Sequence, residues 1–316
     1  MRQRFSSLSI VALVVFSALL AVLSSNGQSS DDDQRDATSR ATPPTTSNAS
    51  GDVLLDSAIA AVDAHQSLTA KLRLQVHLMG HHLFGPGAYL QQGRGADRKI
   101  RLEMSVNGSA GRRLLTHVND GHELWVLEDF SETQQLRFVD LDRLANVQPE
   151  STVAPMSSQL NELGLSGLPG LMKNVQASFQ FGPAIKIQWN GMTVWAMRGV
   201  WRTEVLARLM SITEGNATAD RKQLLSKLPD RAPTEVGLLL DTKSLLPFRV
   251  EFLRPAKRRG KSNKQNQTPV ATLELFEVRF DEEIDETQFK RPSDIAPVDI
   301  TKQLIRTARQ GEPTKK

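Results

Sequence analysis

The side chains best placed for chemistry are six histidines and the acids near them. His77, His81 and His82 are close enough for neutral imidazoles to share a metal ion, but no cysteine or carboxylate stands beside them to complete a ligand set. They end an alternating run and enter a glycine-rich stretch, the pattern of a solvated turn. His117 and His122 flank Asp120-Gly121 and lie within sequence reach of Asp120 and Glu123, the material of an acid–base pair. A hydrolase would also need a nucleophile and an oxyanion site, and the chain has neither a Gly-x-Ser-x-Gly elbow nor a phosphate loop. The reading is therefore a non-enzymatic protein with no catalytic residue, metal or cofactor.

The elements that must position these residues are hairpins. Asp120-Gly121 is a tight-turn dipeptide between Leu114–Val118 and the apolar run Leu124–Leu127, which is centred on Trp125. Asn107-Gly108 and Asn190-Gly191 repeat the signal. Strands alternate most cleanly where Leu72, Leu74, Val76 and Leu78 face one way against Lys71, Arg73, Gln75 and His77. Ile100, Leu102, Met104 and Val106 form a second apolar row, and Leu136 with Phe138 a third. Gly85-Pro86-Gly87 is expected to interrupt the strand that follows Met79. Later strands are read over 177–181, 185–189, 193–201, 235–241, 246–253 and 270–281.

Helices are expected over 52–66, where Leu54, Leu55, Ala58, Ile59, Ala61 and Val62 share a side, and over 140–147, 203–212 and 220–228. Residues 155–173 are read as two short helices broken at Gly164–Gly170. Successive antiparallel strands with one apolar face, plus a few amphipathic helices, make an α+β domain. A long twisted sheet curls, so the expected architecture is an unclosed half-barrel whose concave face is covered by helices near 53–66 and 158–175.

Composition sets the surroundings. Setting aside Arg2 and Arg4 lowers 39 basic residues to 37, against 35 acidic ones, so the sequence pI near 9.4 is a local matter and does not mark a nucleic-acid binder. Cysteine is absent, which excludes disulfides, thiolate ligands and lipidated cysteine. Residues 1–27 follow the order of a signal peptide: arginines, an apolar run over Leu8–Leu23, then small residues. That run spans roughly 24 Å as a helix, short of the ~30 Å hydrocarbon core, so it is read as a cleaved signal or a short membrane anchor. Export to the periplasm or cell envelope follows in either case. Residues 28–50 are a polar linker, expected to be disordered, 51–295 the folded domain and 296–316 a basic tail.

The order of several short motifs resembles one family. Ser67-Leu68-Thr69-Ala70 follows the first helix, and Lys99-Ile100-Arg101-Leu102-Glu103 follows a glycine-rich strand pair. Asp120-Gly121-His122-Glu123-Leu124-Trp125 comes next, then Leu246-Pro247-Phe248-Arg249-Val250, and Asp285 to Phe289 with Pro292 closes the set. In this order, over about residues 53–295, the chain resembles the LolA/LolB-like periplasmic lipoprotein carriers. That resemblance implies an unclosed barrel with a helical lid, holding acyl chains of lipids or lipoproteins. It departs from the family in lacking a lipidated cysteine and in the insertion bearing Trp189, Trp195 and Trp201. Arg98 stands near the position of an arginine on which such carriers depend.

Two readings of the apolar rows stay open: ordinary core, or the lining of a ligand cavity formed by Leu72, Leu74, Val76, Leu78, Ile100, Leu102, Met104, Trp125 and Phe138. In the second, each buried CH2 of a ligand contributes ~0.8 kcal/mol. A companion reading places a protein-docking or sensor module on the same fold. The loop over 254–264 is rich in base and free of acid; Lys257, Arg258, Arg259 and Lys261 are either solvated charge or contacts to an anionic membrane surface.

Overall fold

The computed structural model describes residues 49–78, 81–108, 111–130, 133–145, 167–209, 221–228, 232–255 and 267–310. The expected leader, nearly all of the linker, the proposed helix before Gly164 and the loop bearing Lys257, Arg258, Arg259 and Lys261 lie outside them.

The elements, in chain order, are β1 (Ala49–Ser50), α1 (Gly51–Ala64), β2 (Ser67–Leu78), β3 (His81–Gln92), β4 (Lys99–Gly108), β5 (Gly111–Asn119), β6 (Glu123–Phe130), β7 (Thr133–Asp140) and α2 (Leu141–Ala145). They continue with α3 (Gly167–Ser178), β8 (Phe179–Phe181), β9 (Pro183–Trp189), β10 (Met192–Trp201), α4 (Thr203–Leu209) and α5 (Arg221–Ser226). The last are β11 (Glu235–Asp241), β12 (Pro247–Pro255), β13 (Gln267–Phe280), β14 (Pro297–Asp299) and α6 (Thr301–Gln310). Strands lie in the order β1-β9-β10-β11-β12-β13-β2-β3-β4-β5-β6-β7-β14, with β8 beside part of β10. Neighbours are antiparallel except β14 on β7, and the two ends do not meet. The fold is an α+β, unclosed half-barrel, as the alternation implied.

Turn chemistry sets the hairpins. Gly121 takes φ +98°, and the Asp120 carboxylate accepts the N–H groups of His122 at 2.9 Å and Glu123 at 2.7 Å. Asn190 and Gly191 both have positive φ, 47° and 79°, which matches the twist of the strands they join.

Two expectations fail for identifiable reasons. Gly85-Pro86-Gly87 does not interrupt β3, which pairs with β2 throughout. Pro86 falls where the ladder to β4 skips, between Phe84↔Asn107 and Gly87↔Met104, so its missing N–H is not needed there. Gly87 is required for close approach: a Cβ would sit 2.1 Å from the Glu103 carbonyl oxygen. Gly167 and Gly170 begin α3 instead of breaking a helix, because Gly167 supplies the left-handed entry (φ +66°) and both are buried under the sheet's inner side.

The inner face is the one that carries α1 and α3. Leu55, Ala58, Ile59 and Val62 of α1 and Leu168, Met172 and Val175 of α3 pack with Leu68, Leu72, Leu74, Val76, Met104, Leu238 and Val250 in one continuous core. Arg98, 6% exposed, pairs with Asp63 at the end of α1, and Arg94 donates to the Ala64 carbonyl. The opposite, outer face of β4–β7 carries a second core, Val118, Trp125 and Leu136, covered by Ile284 and Phe289 of the segment after β13. Residues 297–310, which composition reads as a tail, extend the sheet at β7 and fold Leu304 and Ile305 over Leu124 and Val139.

Candidate functional site

Cross-strand register sorts the expected ligand-lining residues. Leu72, Leu74 and Val76 share the inner face with Ile100 and Met104, and all five are buried beneath the helices. Leu102 is on the same face but only partly buried. Leu78 pairs with His81 through its backbone, and its side chain lies outside the described residues. Trp125 and Phe138 are directly opposite one another in the β6–β7 ladder and belong to the outer core, Trp125 at 1% exposure. They do not share a concavity with Leu74 and Leu102. The reason is parity: Leu102 pairs with His117, and His117 with Val126, so Trp125 and Val118 point away. Both faces of this part of the sheet carry packed apolar residues, a condition that one-faced alternation does not announce.

The inner face thus has two zones. Under α1 and α3 it is dry core. Beyond it, Leu102 and Val126 are partly buried and pack against that core, an apolar step with His117 between them in the register, and Leu171 of α3 is partly buried against the same core. The inner positions around Val126 are polar: His117 opposite it on β5, Arg137 opposite it on β7 and Glu128 two residues on in β6, while Arg113, opposite Phe130, stacks over that ring at 4.3 Å. Arg137 pairs with Glu128. Burial, followed by the nearby Arg137 charge, holds the His117 imidazole down to about 4, so it is neutral at physiological pH. Sequence reasoning missed this group because Leu136 and Phe138 were taken as core-facing; once they point outward, Arg137 must point inward.

His122 is separate from His117. It is exposed in the turn, where a 3.0 Å contact with Asp142 raises its pKa. Its ring contacts Asp142, whereas the Asp120 carboxylate holds the backbone N–H groups of the turn. Among the described residues no cluster of three or more histidines, aspartates or glutamates is arranged to hold a metal, and the His81 and His82 side chains lie outside them. No described helix is long and apolar enough to cross a membrane.

A fixed seam borders the apolar step. Tyr89 donates to Gln91 Oε1 at 2.7 Å and accepts the Leu168 N–H at 2.9 Å, tying the start of α3 to β3. Burial pushes the Tyr89 phenol pKa up. A concavity of about 490 Å3 lies beyond the ends of β10–β12 and is lined by Val200, Arg221, Lys222, Leu225, Glu235 and Arg254 among others. On the outer face Trp189 meets Phe248 at 5.1 Å, Arg249 lies over Trp189, and Met192 of the same hairpin is 52% exposed.

No family model matches the chain, and no curated protein matches it. Among solved structures, it is similar to an outer membrane lipoprotein-sorting protein domain from Vibrio parahaemolyticus, at 11% identity over 76% of this chain and 96% of that one, TM-score 0.31. An uncharacterised conserved protein from Thermus thermophilus aligns at 11% identity over 78% and 97%, TM-score 0.38. The Mycobacterium tuberculosis lipoprotein LppX aligns at 9% identity over 75% and 99%, TM-score 0.35.

Proposed function

We propose that this is an exported, non-enzymatic binding protein that holds acyl chains of lipids or lipoproteins against the inner face of its half-barrel. The observation that carries this reading is that Leu102, Val126 and Leu171 pack against the core of an unclosed sheet and yet stay only partly buried. An acyl chain laid there extends the core, and each methylene withdrawn from water contributes ~0.8 kcal/mol. Leu72, Leu74, Val76, Ile100 and Met104 are the floor against which α1 and α3 rest, and a ligand reaches them only by displacing those helices. Lys257, Arg258, Arg259 and Lys261 would hold the protein at an anionic membrane surface.

The test is titration of delipidated protein with a fluorescent fatty acid, together with native mass spectrometry of protein gently extracted from a lipid-rich envelope. Saturable probe binding and co-purified acyl ligands are expected. Ligand-free protein that ignores the probe would overturn the proposal. A docking module on the same fold has one observation in its favour, the outer cluster of half-buried Trp189 and Phe248 beside exposed Met192; loss of a protein partner on Trp189→Ser with lipid binding absent would favour it.

A further inference from the structure

The inner face is apolar across most of its width, yet on β5–β7 it carries two guanidinium groups, one carboxylate and an imidazole. Register places them there unambiguously, since Val126 pairs with both His117 and Arg137. Charged side chains on a half-buried face carry a desolvation cost that an outward position would avoid. Glu128 answers only one of the two cations, through its pair with Arg137. The Nε atoms of Arg137 and Arg113 are buried without an acceptor among the described residues. Arg137, whose Nε is among these unused donors, stands directly opposite Val126 on one side, and His117 directly opposite it on the other. Residues directly opposite on neighbouring strands stand ~5 Å apart, so a head group on Arg137 places the first methylenes of its chain over Val126.

The geometry points to a head-group site at Arg137, with His117 on the other side of Val126, for a single-chain amphiphile ending in anionic oxygen, either a long-chain carboxylate or a phosphate monoester. The guanidinium fork of Arg137 receives two oxygens in the plane of its donors, as lysine would not. Glu128 is the competitor that occupies part of that fork when no ligand is present. This inference rests on the acyl-binding reading above and adds to it the chemistry of the head group.

The experiment uses delipidated full-length protein and two fluorescent probes, cis-parinaric acid and its methyl ester. Wild-type protein is expected to prefer the acid. Arg137→Gln should weaken the acid roughly tenfold or more and leave the ester unchanged, the size expected for a lost charged hydrogen bond. Glu128→Gln should act in the opposite sense and tighten the acid, a result no general loosening of the fold would give. Competition by dodecanoate and dodecyl phosphate decides the source: the stronger displacer at neutral pH names it. Equal binding of acid and ester by wild type, or an acid preference that survives Arg137→Gln, overturns the head-group site while leaving acyl binding intact. Binding of neither probe overturns both.

Discussion

The Leu168 N–H rests on the Tyr89 hydroxyl at 2.9 Å, so α3 is joined to the sheet by a buried hydrogen bond as well as by packing. Tyr89→Phe removes that acceptor and also strands the fully buried Gln91 side chain. Leaving a buried donor and acceptor unpaired costs about 1–3 kcal/mol. Urea denaturation should show a lower midpoint with an unchanged slope; superimposable curves would remove the seam from this account.

Gly167 sits at the same seam. Its φ is +66°, and a Cβ there would lie 2.6 Å from the Tyr89 hydroxyl and 2.8 Å from Gln91 Oε1. Gly167→Ala should therefore destabilise by about 1–3 kcal/mol through strain alone. Thermal unfolding checks it, and a variant as stable as wild type would mean that α3 enters differently.

Trp125 belongs to the outer core with Val118, Leu136, Ile284 and Phe289. Trp125→Ala should cost roughly 3–5 kcal/mol, the range for emptying an aromatic site. The milder Trp125→Phe should leave fatty-acid binding within error of wild type, because the ring does not face the inner step. A large change in probe affinity for Trp125→Phe would place Trp125 on the ligand side after all.

His117 makes stability pH-dependent. The unfolded imidazole takes a proton near 6.5, whereas the folded one resists until about 4. The contribution is thus fully present above pH 6.5 and is lost as pH falls toward 4, at about 1.4 kcal/mol for each unit of separation between the two values. The ring keeps partial access to solvent, which makes that an upper figure. Chemical denaturation at neutral pH and near pH 5 should show a smaller drop for His117→Asn than for wild type.

The basic loop offers a separate check. Replacing Lys257, Arg258, Arg259 and Lys261 together with alanine should weaken co-sedimentation with vesicles containing anionic lipid, by ~1 kcal/mol per residue at low salt. Raising the salt should shrink the difference between the two proteins. Equal sedimentation at low salt would return the loop to ordinary solvated charge.

Period-two alternation over Leu72–Leu78 and Ile100–Val106, together with Asp120-Gly121 and Asn190-Gly191, was sufficient for the sequence alone to determine a long antiparallel sheet, its hairpins and the α1 cover, since these are local properties of side-chain direction and backbone φ. The tertiary structure decided which face each apolar row meets. Trp125 reads as inward until the 281–295 segment arrives from far along the chain to cover the outer face, and that single assignment turns Arg137, Glu128 and His117 inward. Alternation gives the relative facing of neighbours on a strand but not the identity of what covers them, because the covering residues come from distant sequence and are chosen by packing.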